Sequence, residues 1–348
     1  MTARAVAGDA RGLASAIAAE SPQPPAGQPV LVVSDLSVEY ILERAVIRAV
    51  DGVSLQVAAG EFLAIVGESG CGKSTLLFAI AQLLFPPAAI TGGSVTFLGR
   101  DMVGLGADQL AAIRWKEMSV VMQSAMNALN PVLSVGAQFR DVMHAHGVTS
   151  KDEIADRSAR ALRLVGIDPV HLRSYPHQLS GGMRQRSMIA MALLFRPKLV
   201  MMDEPTSALD VVAQRSLMAQ ITELRQEFGF AVIFVTHDMS LVSHFSGQLM
   251  VMYAGQVSEV GRTGTVFRTP RHPYTVGLMD AFPSISGPRV RLTGIPGSPP
   301  DLARPLSGCR FAPRCPQVMP RCEDSEPPLY RLPEADVRCF LFEDGDPR

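Results

Sequence analysis

The chain has no run of about 18 uncharged apolar residues, so no segment has the length and apolarity of a membrane-spanning helix. This holds although 47% of its 348 residues are hydrophobic and mean hydropathy is +0.18. An excess of charge of one sign is also missing. The formal net charge is −1, and no basic footprint argues for nucleic acid as a partner. Lysine is scarce, with four against 28 arginines, which reads as a composition bias without functional meaning. Cysteine is nearly absent until the tail: Cys71 stands alone before Cys309, Cys315, Cys322 and Cys339. The N-terminal alanines are interrupted by Asp9 and Arg11, which is not the layout of a signal peptide. The chain is therefore expected to stay on the cytoplasmic side.

What is present is enough for one large domain plus an extension. Residues 1–29 are rich in alanine, proline and small polar residues and are expected to form a mobile arm. From Val30 onward strand-like and helix-like segments alternate, the layout of an α/β fold with a mostly parallel sheet and flanking helices.

Gly67-Glu68-Ser69-Gly70-Cys71-Gly72-Lys73-Ser74-Thr75 fits G-x-x-x-x-G-K-[S/T], a loop that wraps a nucleotide's phosphates. The preceding Phe62–Val66 reads as a buried strand and Ser74–Leu84 as a helix. The loop thus stands at a helix N-terminus, where unpaired N–H groups and the positive dipole end face an anion. Glycines let the backbone curl close, Lys73 can reach the β- and γ-phosphates, and the Ser74 hydroxyl can bind Mg²⁺. Cys71 is expected to offer only its backbone N–H.

A second apolar run, Leu199–Met202, ends directly in Asp203 and Glu204. Asp203 there can hold the Mg²⁺ shell, and Glu204 can polarise a water for attack on the γ-phosphate.

Leu179-Ser180-Gly181-Gly182-Met183-Arg184-Gln185-Arg186 resembles the signature of the ATP-binding-cassette family, in the form seen in peptide importers. Ser180 can cap a helix that runs through the apolar Met188–Phe195. The resemblance implies a P-loop NTPase fold with a helical subdomain, here about 124–187. It also implies that Ser180, Gly181 and Gly182 serve the ATP held by an opposite subunit. Other elements follow in the family's order. Gln123 resembles the glutamine that touches Mg²⁺ and the attacking water. The segment Ser207-Ala208-Leu209-Asp210 resembles the one that crosses the dimer interface. His237 resembles the histidine that contacts the γ-phosphate. Tyr40 resembles the aromatic that stacks on adenine, with a hairpin tyrosine as the alternative. Asn127-Ala128-Leu129-Asn130-Pro131 resembles the peptide-importer segment after Gln123, whereas Ser124 and Ala125 depart from the usual Asp-Pro or Glu-Pro.

The ATPase domain is expected over 30–271 and a C-terminal extension over 272–348. His272-Pro273-Tyr274-Thr275 and Gly308–Pro316 resemble the extension of oligopeptide and dipeptide importer ATPases. For Cys309, Cys315, Cys322 and Cys339 the resemblance points to a [4Fe–4S] cluster. Zinc and free buried thiols stay open as alternatives.

The resemblance implies an ATP-hydrolysing subunit, peripheral on the cytoplasmic face of the membrane. It would power uptake of di- or oligopeptides, or alternatively of nickel or another small solute. Its implied partners are an identical or paralogous ATPase subunit, two integral membrane permease subunits and, indirectly, an extracytoplasmic solute-binding protein. A soluble, non-transport cassette ATPase is disfavoured, because no extended heptads separate Lys73 from Ser180.

Overall fold

The computed structural model describes residues 29–123, 128–207, 209–281, 294–304 and 306–345. The N-terminal arm over 1–28, Ser124, Ala125, Asn127 and Ala208 lie outside the described residues.

Two sheets form the body. The first is antiparallel and runs in the order β2-β1-β4-β5, from β1 (Pro29–Ile41), β2 (Val46–Ala58), β4 (Ala88–Phe97) and β5 (Arg100–Asp101). The second runs β11-β10-β9-β3-β8-β7-β6. Its parallel part comprises β3 (Phe62–Val66), β6 (Met118–Val121), β7 (Leu199–Asp203), β8 (Ala231–Val235) and β9 (Gln248–Tyr253). Then β10 (Gln256–Arg262) and β11 (Ala335–Val337) add antiparallel edges, so the C-terminal segment contributes a strand to the larger sheet.

Every residue of β3, β7 and β8 is buried, as continuous apolar strands covered on both faces must be. Period-2 alternation then assigns the faces. Leu199, Met201, Ala231, Ile233 and Val235 pack toward the antiparallel sheet, whereas Val200, Met202, Val232 and Phe234 pack toward the helical side. Helix α1 (Lys73–Ile80) is clamped between the two sheets through Leu76, Leu77 and Ile80, each fully buried and worth about 2 kcal/mol of transfer free energy. Its end falls short of the expected Leu84. Gln82 takes a positive φ of 55°, while Leu83 and Leu84 still pack on the core, so the apolar pattern outlasts the helix.

After α2 (Ala107–Ile113), the helical region carries α3 (Val135–Ala145), α4 (Lys151–Leu164) and α5 (Gly181–Ala192). Ser134, Ser150 and Ser180 cap these three helices, each accepting a backbone N–H three residues on. Helix α5 starts at the cap and stops before Leu193–Phe195, which are buried without being helical. The other α-helices among the described residues are α6 (Val211–Phe228), α7 (Met239–Phe245), α8 (Thr263–Arg268), α9 (Pro273–Asp280) and α10 (Pro320–Asp324). Among the described residues, no helix is long and apolar enough to cross a membrane.

Candidate functional site

The loop between β3 and α1 forms one wall of a cavity of about 400 Å³. Ser69, Gly70, Gly72, Lys73, Ser74 and Thr75 line it from the loop and the helix start. Tyr40, Ile47 and Ala49 line it from the β1–β2 hairpin, and Gln123 and Glu204 from the ends of β6 and β7. A residue of the extension, Leu302, completes the lining.

The loop is held by close backbone packing. Gly67 has φ 149°, and a Cβ there would stand 2.1 Å from the Met252 carbonyl oxygen. Gly72 has φ 101°, and its Cβ would stand 2.2 Å from the Ala49 carbonyl oxygen. Only glycine fits these two positions. Lys73 is 7% exposed, and its ammonium donates to the Gly67 and Glu68 carbonyl oxygens at 2.8 and 2.9 Å. The Cys71 side chain is buried beneath the loop, 3.7 Å from Lys73 Nζ, and burial pushes its thiol pKa up.

Asp203 ends β7 at 2% exposure, and its Oδ1 has no hydrogen-bond partner. Burial raises its pKa, opposed by a hydrogen bond from Ser74 and the charge of Lys73, with the neighbouring Glu204 raising it further. A buried carboxylate oxygen left unpaired beside a hydroxyl and an ammonium suits a hard cation, and oxygen donors are what Mg²⁺ selects.

Glu204 sits at φ 45°, unusual for a residue with a side chain, and its N–H donates to the Val235 carbonyl. The turn aims its carboxylate at two neighbours. Gln123 Nε2 donates to Oε2 at 2.8 Å, and His237 Nδ1 lies 3.2 Å from Oε1. His237 is largely exposed and reaches the cavity only through Glu204.

Tyr40 stands in the β1–β2 hairpin. It pairs with Ile47 in the hairpin register and lines the cavity, where its hydroxyl lies 3.2 Å from Thr75 Oγ1. Ser180, Gly181 and Gly182 open α5 outside this cavity, with Gly182 near Leu209. Asp210 also stands outside it and accepts the Ala213 N–H at 2.8 Å as the cap of α6.

Sequence reasoning missed two contacts of Glu68. Its carboxylate pairs with Arg314, and its N–H donates to the Tyr274 hydroxyl. The His-Pro-Tyr-Thr marker held Tyr274, but nothing local connects it to the loop 206 residues earlier.

The tail cysteines are all free thiols. Cys309 and Cys315 pack beside the Tyr253, Tyr274 and Phe311 cluster, while Cys339 packs with Val337 and Phe342. Cys322, in α10, accepts the Cys309 N–H on its carbonyl at 2.7 Å. Burial pushes Cys339 up to about 11 and raises Cys309 and Cys315, each further raised by the neighbouring thiols. Among the described residues, no group of three or more His, Cys, Asp or Glu is arranged to hold a metal ion. The four-thiolate centre expected from the sequence thus has no metal-holding arrangement to support it among the described residues.

Comparison with known proteins places the chain. The family described as "ABC transporter" matches residues 50–207, and "Oligopeptide/dipeptide transporter, C-terminal region" matches 258–322. The dipeptide transport ATP-binding protein DppD of Caldanaerobacter subterraneus subsp. tengcongensis is 40% identical over 91% of this chain and 98% of its own length. The oligopeptide transport ATP-binding protein OppD of Salmonella typhimurium is 42% identical over 94% of this chain and 97% of its own. That of Escherichia coli is 43% identical over 89% and 93%. Among solved structures, a dimeric ATP-binding cassette in a post-hydrolysis state with ADP and Pi superimposes with a TM-score of 0.61. It is 29% identical and covers 67% of this chain and 98% of its own.

Proposed function

Since the chain belongs to the ABC transporter family, with the oligopeptide/dipeptide transport ATP-binding proteins as its relatives, we propose that it hydrolyses ATP to power peptide import. The observation that carries the reading is the meeting of Lys73, Ser74, Gln123 and Glu204 around one cavity.

The phosphate chain enters at the N-terminus of α1. The amides of Ser69 to Thr75 and the Lys73 ammonium receive it, Lys73 exchanging its two carbonyl partners for phosphate oxygens. Ser74, Gln123 and Asp203 would hold magnesium, which when bound offsets part of the charge on the β- and γ-phosphates. Tyr40 offers its ring to the adenine. Glu204 orients and polarises the attacking water, with Gln123 and His237 fixing its two carboxylate oxygens. His237 would also contact the γ-phosphate of bound ATP from its position against Glu204.

Ser180, Gly181, Gly182 and Asp210 do not line this chain's own cavity, which supports their service to the nucleotide of a second subunit. Two chains, identical or paralogous, then close on two ATP molecules and reopen when a γ-phosphate is lost. Closure drives two membrane permease subunits docked on the Gln123 side, with the chain peripheral on the cytoplasmic face. The ATPase domain spans 30–271, with its helical subdomain at about 124–187 and the extension at 272–348.

A [4Fe–4S] cluster on Cys309, Cys315, Cys322 and Cys339 has as its support four free thiols, each raised or raising a neighbour. Iron and acid-labile sulfide analysis of anaerobically purified protein tests it. Stoichiometric zinc, or no metal at all, would end that reading.

The functional test is reconstitution in vesicles with the membrane subunits and binding protein. Peptide-stimulated ATP turnover, coupled to peptide uptake, is expected. Stimulation by a nickel complex but not by peptides would overturn the solute assignment.

A further inference from the structure

The extension touches the phosphate loop at one residue from several directions. Arg314 donates from Nη1 to Glu68 Oε2 at 2.7 Å and from Nη2 to Oε1 at 2.9 Å. The guanidinium is itself seated. Its Nε donates to the Pro296 carbonyl at 2.8 Å, its Nη1 to the Tyr253 hydroxyl at 3.2 Å, and it lies 5.7 Å over the Tyr253 ring. Its side chain is only 4% exposed. Tyr274, fully buried, accepts the Glu68 N–H on its hydroxyl at 2.9 Å. Pro299, Pro300 and Leu302 line a small cavity together with Glu68 to Cys71, and Leu302 also lines the larger one.

Glu68 puts a carboxylate at the entry of an anion-binding loop. An unpaired carboxylate beside a triphosphate repels it, and the low-dielectric surroundings strengthen that repulsion. A bidentate, largely buried arginine removes the problem and holds the residue in one geometry. The glycine-rich stretch that follows also costs conformational entropy to order, and a fixed entry residue lowers that cost at the moment of binding.

We propose that Arg314 and Tyr274 are positioning residues for the phosphate loop, through which the C-terminal extension sets the chain's affinity for ATP. Arg314 neutralises Glu68 and Tyr274 fixes its backbone, so the loop meets the nucleotide already shaped and without an opposing charge. The proposal rests on the cavity being the ATP site.

The test uses the full chain and follows KM for ATP, kcat and melting temperature together. Arg314→Met is expected to raise KM about tenfold while kcat stays within about twofold. Adding Glu68→Gln to Arg314→Met is expected to bring KM back to within about threefold of the parent, because the exposed charge is gone. A purely structural arginine would give a lower melting temperature without this rescue. An unchanged KM in Arg314→Met, or a rise that Glu68→Gln fails to relieve, overturns the proposal. If Arg314→Met does not fold, Tyr274→Phe keeps the ring and removes only the acceptor of the Glu68 N–H. A rise of a few-fold in KM supports the proposal, and no rise overturns it. A parent chain that neither binds nor hydrolyses ATP would instead defeat the reading of the cavity itself.

Discussion

Gln123 and Glu204 meet across the cavity, Nε2 to Oε2 at 2.8 Å, although 81 residues separate them in the chain. Neighbouring parallel strands, β6 and β7, bring their C-terminal ends to the same edge of the sheet. Ligands bind at that edge in open α/β folds. The amide leaves Glu204 one oxygen committed to a donor and the other toward His237.

Glu204→Gln tests the base. ATP turnover is expected to fall at least about a hundredfold, with nucleotide binding kept, because the amide preserves shape but cannot accept a proton. Phosphate release and an equilibrium binding titration are the two measurements. In the presence of ATP, light scattering is expected to register a persistent dimer.

Tyr40 separates stacking from hydrogen bonding. Its hydroxyl touches only Thr75 Oγ1 among the described contacts, so Tyr40→Phe should change ATP affinity less than about twofold. Tyr40→Ala should weaken it about tenfold through loss of the ring, in line with base–aromatic stacking of roughly 1–3 kcal/mol. Equal losses in the two variants would remove the stacking role.

The three loop glycines differ in what surrounds them. A Cβ on Gly67 or Gly72 meets backbone oxygen at 2.1 or 2.2 Å, whereas Gly70, at φ 79°, meets nothing within 4 Å. Gly70→Ala should cost about 1–2 kcal/mol of backbone strain. Gly67→Ala and Gly72→Ala should cost more and abolish ATP binding, since β9 or β2 must shift to admit the methyl group. Denaturant unfolding and nucleotide titration rank the three.

His272 predicts a slope in acid. It is fully buried, its Nδ1 accepts the Tyr274 N–H at 3.0 Å, and burial lowers its pKa to about 3. The unfolded chain binds the proton near the ordinary value of 6.5, so between 6.5 and about 3 it holds more protons than the native state. The stability due to a neutral His272 is complete above 6.5 and is lost progressively as pH falls toward about 3. Arg338 acts both ways, its backbone hydrogen bond with His272 opposing the lowering and its charge, more weakly, adding to it. Buried Glu259, which accepts the His272 N–H, has a raised pKa and works in the opposite direction in acid. The difference between parent and His272→Asn isolates the histidine, since asparagine can still cap α9. The variant should lose less stability between pH 6.5 and 4, by on the order of a few kcal/mol, in urea unfolding measured across that range.

Much of this was legible in the chain. The phosphate loop, the apolar strands before Gly67 and Asp203, and the serine cap of α5 are local patterns, and the structure has them in those places. Helix ends were less legible. Leu83, Leu84 and Leu193–Phe195 remain packed after the backbone has left the helix, so an apolar pattern marks burial and not hydrogen bonding. Ile41–Ile47 holds the hairpin turn that sets Tyr40 and Ile47 side by side at the cavity.

The sequence by itself determined the nucleotide chemistry, because a phosphate loop and a strand-end acid pair are short segments whose spacing follows directly from strand and helix geometry. What surrounds them comes from tertiary packing alone: that Arg314 neutralises Glu68 from 246 residues away, that Leu302 joins the cavity wall, and that Cys309 and Cys315 pack beside the aromatic cluster. Such contacts arise when β11 docks on β10 and the aromatic cluster closes over the loop, and a packing event between distant segments leaves no periodicity in either of them.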